Sequence, residues 1–173
     1  MTPEFTAIYE QEFTAVWRFL RRLGVAEAAV DDLCHDTFLL AWKRFDAFDR
    51  NRPARPWLFG IAFRLASDFR SLKRHSTEAA DDEAVLSAAD PTAAGPLERL
   101  EARQASDLVQ AALETLSLDL RTVFVLHELE ERPIPEVAEL MQTPVPTAYA
   151  RLRTARQRFA SAVQRQSRAG GLS

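Results

Sequence analysis

Apolar residues recur at helical spacing along almost the whole chain, and no stretch sustains the alternation of a half-buried strand. That pattern restricts the fold to helices packed on helices, because each amphipathic stripe must be buried against another element. Phe5, Ile8, Tyr9, Phe13, Val16, Trp17 and Leu20 form the first stripe, closed by Gly24 as a stop signal. A second helix is expected over Glu27–Phe45, with Val30, Leu33, Cys34, Thr37, Phe38, Ala41 and Trp42 on its apolar side. Asp46–Pro53 is polar and ends in proline, which predicts a loop. A third helix over Pro56–Lys73 is expected to turn Trp57, Ile61, Leu65, Phe69 and Leu72 inward. Short loops between such helices give a helical bundle.

Residues 75–96 break the pattern. They are rich in Ala, Asp, Ser and Pro and hold no aromatic residue, so they cannot bury enough surface to offset the entropy of ordering them. A flexible acidic linker is expected there. Beyond it, helices are predicted over Leu97–Leu116 and Asp119–Leu129. A tighter pair follows, Ile134–Met141 and Val145–Arg165, with a turn over Gln142–Pro144. Ala138 falls where these two must approach closely, and Val137, Leu140, Val145, Ala148 and Leu152 supply a small core. Pro146 is tolerated only in the first turn of its helix, where no intrahelical donor is lost. This is a helix-turn-helix layout, whose second helix suits the major groove. The reading is all-α: two small helical domains, residues 1–74 and 97–168, joined by the linker.

Composition excludes several classes. The longest apolar run is far short of the roughly 20 residues of a membrane span, and the N-terminus is acidic where a signal peptide is basic, so a cytoplasmic protein with no membrane insertion is expected. One cysteine forbids an internal disulfide, and 5 glycines leave no phosphate-cradling loop. Net charge is −3, but the charges are segregated. Residues 1–75 carry 12 Lys+Arg against 10 Asp+Glu, residues 76–110 carry 2 against 8, and residues 111–173 carry 8 against 7. Within these, Lys43–Arg74 holds nine basic and three acidic residues, and Pro146–Arg168 six basic and none acidic. Two basic segments flanking an acidic connector point to nucleic acid.

The last helix places Arg151, Arg153, Arg156, Arg158 and Arg165 on its polar surface, with Thr147, Tyr149 and Ala150 toward base edges. Arginine suits this work because its planar fork grips phosphates and guanine edges. A solvated basic helix is the plainer alternative. In the second helix, Asp32 and Asp36 lie one turn apart, and the apolar residues Leu33, Phe38, Leu39 and Leu40 exceed one buried stripe. The surplus suggests a partner-binding face, against ordinary amphipathicity. In the third helix, Trp57, Phe59, Phe63 and Phe69 stand beside Arg52, Arg55, Arg64 and Arg70, a mixture that suits single-stranded nucleic acid. Core filling is the simpler reading for Trp57 and Phe69. Cys34, His35 and Asp36 are consecutive and point in different directions, so no metal site is expected, nor any cofactor. His75 and His127 are isolated. No nucleophile, base and oxyanion arrangement emerges, so catalysis is not expected.

Two segments carry a resemblance. DDLCHDTFLLAWKRFDAF with RPWLFGIAFRLASDFRSLKR resembles region 2 of bacterial sigma-70-type factors of the extracytoplasmic-function group. ALETLSLDLRTVFVLHELEERPIPEVAELMQTPVPTAYARLRTARQRF resembles their region 4. The resemblance implies a sigma factor that binds core RNA polymerase, directs initiation at chosen promoter DNA, and is held by an anti-sigma factor. It implies core-polymerase contacts from Asp32, Leu33, Asp36, Phe38, Leu39 and Trp42. For the minus-ten element it implies Arg52, Arg55, Phe63, Arg64 and Arg70. For the minus-thirty-five element it implies Thr147, Tyr149, Ala150, Arg151, Arg153, Thr154 and Arg156. It also carries the expectation that no added regulatory domain follows Ser173.

Two departures bear on promoter choice. The family's third helix usually reads Ile-Ala-Arg-Asn where this chain has Ile61-Ala62-Phe63-Arg64. At the recognition helix a basic residue and a serine of many members are replaced by Tyr149 and Ala150. Two other functions stay open at this point: a stand-alone helix-turn-helix regulator, and a sigma-like decoy that sequesters an anti-sigma factor.

Overall fold

The computed structural model describes residues 2–76 and 96–170, with side chains over 2–72 and 103–168. Among the described residues every regular element is helical. Helix α1 (Pro3–Arg22) begins where Thr2 Oγ1 accepts from the Phe5 amide at 3.4 Å and Pro3 presets the first turn. It stops at Gly24, whose φ of 82° lets its amide donate to Arg21 O at 2.9 Å and Val25 donate to Leu20 O at 3.1 Å. That pair of bonds is a Schellman closure, and it satisfies carbonyls the helix would otherwise leave open.

Helix α2 (Glu27–Lys43) passes through a short 3-10 turn (Phe45–Ala47) into the loop before α3 (Ala54–Ser76). The three helices close on a core rich in aromatic rings. Phe19 stacks on Phe59 at 4.3 Å, Tyr9 meets Phe38 edge-on at 4.8 Å, and Phe5 contacts both Trp42 and Phe45. The inward face of α3 differs from the expected one. Leu58, Phe59, Ile61, Ala62, Phe63 and Ala66 are buried, whereas Leu72 is 70% exposed and Trp57, Leu65 and Phe69 are half-buried. The helix is nearly apolar all round in its first half, so periodicity alone did not fix which face turns in.

The second half packs α4 (Pro96–Glu114), α5 (Leu118–Phe124), α6 (Ile134–Leu140) and α7 (Val145–Gly170). Helix α5 continues as a π-helical turn over Val125–Leu129, in which Glu130 N–H donates to Val125 O at 3.0 Å. Val137, Ala138, Ala148, Leu152 and Ala155 are buried between α6 and α7, and their small side chains let the helices approach closely. Val145, expected in that core, is exposed, because it opens α7 at the turn. Gln142 takes φ of 50° there, and a second Schellman closure joins Gln142 N–H to Glu139 O and Thr143 N–H to Ala138 O. Most of residues 75–96, expected as a linker, lies outside the described residues, as does the His75 side chain.

The halves touch. Arg22 pairs with Glu130 at 2.8 Å, Gln110 Nε2 donates to Arg21 O at 3.3 Å, and Leu140 of α6 seats on Gly60 of α3. The described residues of both halves form one joined core.

Candidate nucleic-acid and polymerase interface

Helix α2 presents the first surface. Asp32, Asp36 and Leu39 follow the i, i+4, i+7 spacing and all three are exposed, with Leu39 at 52%. Together they make an exposed leucine flanked by two carboxylates. Three other residues of the expected polymerase set lie elsewhere. Leu33 and Phe38 are buried in the bundle, and Trp42 is half-buried against Phe5 at 5.2 Å. They hold the α2 backbone in place and do not reach its outer face. His35 Nδ1 lies 2.8 Å from Asp31 O, and Trp17 Nε1 donates to Asp31 Oδ1 at 2.7 Å. Cys34 is buried with its thiol 3.8 Å from Phe13 O, and burial pushes its pKa up to about 12, with Asp31 adding to the rise. It belongs to the core.

The second surface is a cleft of about 550 Å³ between the start of α3 and helix α6. From the minus-ten set it gathers Arg52 and Arg64. Desolvation lowers the Arg64 guanidinium below its ordinary value, and Arg44 nearby lowers it further. The other three members are elsewhere. Arg55 Nε is held by Glu12 of α1 at 2.6 Å, Arg70 Nη2 points at Gly24 O at 3.4 Å, and Phe63 is buried. Phe63 cannot stack on a base from the core. What sequence reasoning missed is the aromatic wall of the cleft. Phe48 and Trp57 stack at 4.4 Å on its lining, where Trp57 had been read as core. The dense basic and aromatic mixture was the available signal. Which rings face outward depends on helix rotation.

Helix α7 carries the third surface. Tyr149, Arg153 and Arg156 lie at i, i+4, i+7 and are exposed, Tyr149 at 52%. Ala150 is exposed beside them, and Thr147 and Thr154 are half-buried on the adjoining face, where Thr154 Oγ1 donates to Ala150 O at 3.1 Å. Arg151 turns away from this stripe to pair with Asp119 at 2.8 Å, and Arg156 is braced by Glu128 at 2.6 Å. His127 Nδ1 lies 2.8 Å from Arg132 O and ties the π turn to the loop before α6. No three metal-type side chains converge among the described residues. No helix among them is long and apolar enough to cross a membrane.

Comparison with known proteins fits this arrangement. The family model for Sigma-70 region 2 matches residues 8–76, and that for Sigma-70, region 4 matches residues 106–159. The RNA polymerase sigma factor NccH of Alcaligenes xylosoxydans xylosoxydans is 30% identical over 164 residues, which is 92% of this chain and 87% of that protein. CnrH of Cupriavidus metallidurans, also an RNA polymerase sigma factor, is 27% identical over 94% of this chain and 88% of its own length. Among solved structures, the sigma factor RpoE of Bartonella quintana, bound to the anti-sigma factor NepR, superposes with a TM-score of 0.75 at 21% identity, over 94% of this chain and 98% of that one. CnrH bound to the cytosolic domain of CnrY gives 0.64 at 26% identity, over 92% and 87%.

Proposed function

The chain belongs to the sigma-70 family of RNA polymerase sigma factors, in its extracytoplasmic-function group, and we propose that it gives core polymerase its promoter choice through the three surfaces just described. The observation that carries the reading is the exposed stripe Tyr149–Arg153–Arg156 on the second helix of a helix-turn-helix, in a chain whose other half has an acidic, leucine-bearing docking face. A stand-alone regulator has no use for that docking face.

In this reading Asp32, Asp36 and Leu39 dock on core polymerase. Tyr149, Arg153 and Arg156, with Ala150 and Thr147, enter the major groove of the minus-thirty-five element. Arg52 and Arg64, with Phe48 and Trp57, receive the opened minus-ten strand, stacking its bases while the guanidinium groups neutralise its backbone. The protein acts by binding and positioning and performs no bond chemistry. Work of this kind belongs in the cytoplasm, where polymerase is. An anti-sigma factor is its natural regulator, by analogy with RpoE held by NepR and CnrH held by CnrY. Residues 1–74 and 97–168 would be the two working domains, and 75–96 their connector.

Reconstitution tests this directly. Added to core polymerase, the chain should direct run-off transcription from promoters identified by sequencing transcripts after its overexpression. Capture of an anti-sigma factor with neither core binding nor promoter-dependent transcripts would reject the assignment in favour of a decoy.

A further inference from the structure

A carboxylate reaches the exposed Tyr149–Arg153–Arg156 stripe of α7, although Pro146–Arg168 contains no acidic residue of its own. It belongs to Glu128, in the π turn that continues α5. Its Oε1 accepts from Arg156 Nε at 2.6 Å, a short charge-assisted bond. Close to DNA a carboxylate repels the phosphates and so opposes binding. The pair does little for the fold either. Arg156 is 55% exposed and Glu128 31%, and ion pairs so placed contribute little to stability.

The geometry of the contact gives it a different use. Glu128 takes Nε alone, which leaves the outer edge of the guanidinium, Nη1 with Nη2, for a second partner. A guanidinium anchored at Nε no longer swings freely at the end of its side chain, so that edge keeps one direction. Arg156 lines a groove of about 590 Å³ between α7 and the loop before α6, together with Tyr149 and Arg153. Glu128 is not part of that lining, so it holds Arg156 from outside the groove. The outer edge binds two adjacent acceptors, and DNA offers such pairs as O6 and N7 of guanine or as phosphate oxygens.

The carboxylate is itself held in place. Glu130 N–H donates to Val125 O at 3.0 Å and Arg132 N–H to Leu126 O at 2.9 Å, which fixes the turn around Glu128. Turns of this kind recur at functional sites. About one helical turn away, Phe124 of α5 stacks on Phe159 of α7 at 4.5 Å and sets the spacing of the two helices beside the pair.

We propose that Glu128 is a positioning residue for promoter recognition: anchored in the π turn, it holds Arg156 by Nε and presents the outer edge of the guanidinium, already oriented, to the minus-thirty-five element. The inference rests on the minus-thirty-five reading of α7 given above. Orientation in advance raises affinity, because a long side chain then loses less freedom at the moment of binding. Here that gain exceeds the repulsion the carboxylate brings.

The test titrates holoenzyme, reconstituted with the full chain, on a fluorescein-labelled promoter duplex chosen from the transcripts that overexpression induces. Glu128→Ala should weaken binding about three- to tenfold, the range expected when one long side chain must be ordered on binding. Charge alone predicts the opposite sign, since a negative group leaves the DNA face. In an Arg156→Ala background, Glu128→Ala should cause no further loss, because no guanidinium remains to be oriented. Tighter or unchanged binding by Glu128→Ala in the parent would overturn the proposal. An equal loss in both backgrounds would also overturn it, since Glu128 would then act through the fold and not through Arg156. Arg156→Ala by itself checks the underlying reading. Unchanged promoter binding there would remove Arg156 from the minus-thirty-five contact and the proposal with it. Weaker binding there, combined with tighter binding by Glu128→Ala, would overturn the role of Glu128 alone.

Discussion

The guanidinium of Arg121 packs against the backbone of Gly24, so the end of α1 and the side of α5 meet at a site where no Cβ fits. Gly24 is constrained twice. Its φ of 82° suits only a residue without a side chain, and the space a methyl would need is filled by Arg121 Nη1. Burial, and then the neighbouring Arg70, lower the Arg121 pKa to about 10, with Glu114 partly offsetting both.

Gly24→Ala should therefore destabilise the protein by about 2 kcal/mol or more, through left-handed strain and the displacement of Arg121. A thermal melt should show Tm falling by roughly 4–8 °C for a chain of this size. A drop of under a degree would mean that the α1–α5 contact is not held in solution.

Phe38 and Asp36 separate fold from function on one helix. Phe38 is buried against Tyr9 and Phe13, so Phe38→Ala should cost about 3–5 kcal/mol of stability. Asp36 is exposed, so Asp36→Arg should leave Tm within about 2 °C, since surface changes of this kind stay within about 0.5 kcal/mol. It should nevertheless weaken association with core polymerase, measured by fluorescence anisotropy of labelled protein. Unchanged affinity in Asp36→Arg would take α2 out of the docking surface.

These two residues also show what the sequence could disclose. Spacing identified α2, its length and its buried residues, because one stripe is apolar and the rest is not. Spacing put Phe38 and not Leu39 on the apolar side, but adjacent large apolar residues left open which of them a partner could reach, and the expected polymerase set took in both. The same difficulty misplaced Trp57 and Phe59 on α3, where nearly every early position is apolar and helix rotation is set by packing against α1. The exposure of Arg153, Arg156 and Arg158 was legible because charged side chains of α7 belong outside the core, but that Arg151 of the same set is drawn to Asp119 was not. The wall of Glu136, Glu139 and Leu140 across from Arg52 was not, because periodicity within each half says nothing about how the halves meet.

Cys34 gives a pH dependence with a definite sign. Burial raises its thiol from an ordinary 9.0 to about 12, so the unfolded chain ionises first as pH rises. The stabilising contribution is complete below pH 9 and is lost progressively as pH climbs toward the folded value. Between pH 7 and 10 the parent should lose on the order of 1 kcal/mol more than Cys34→Ala, read from urea midpoints. Equal losses would show that the thiol is not shielded.

Gln142 closes α6 with a backbone that glycine adopts more easily. Its φ of 50° costs a side-chain-bearing residue about 1–2 kcal/mol, partly offset by the greater freedom glycine has when unfolded. Gln142→Gly should therefore raise stability by about 0.5–1 kcal/mol, seen as a higher denaturation midpoint with an unchanged slope. A lower midpoint would indicate that the Gln142 side chain stabilises the cleft it lines.

Arg153 and Arg151 are two arginines apart in sequence by one residue and opposed in use. Arg151 is engaged by Asp119 at 2.8 Å, which directs it toward α5 and away from the exposed stripe of Tyr149, Arg153 and Arg156. Arg153 is exposed between Tyr149 and Arg156 on that stripe. Arg153→Ala should reduce holoenzyme binding to a cognate promoter by about 1–3 kcal/mol if the guanidinium reads a base, with relaxed preference at one position of the minus-thirty-five element. If it holds a phosphate instead, binding should weaken uniformly across sequences and the salt slope should fall by about one. Arg151→Ala should lose much less than Arg153→Ala in the same assay. The reverse order would place the groove on the Arg151 side of α7 and turn the proposed recognition face by roughly half a helical turn.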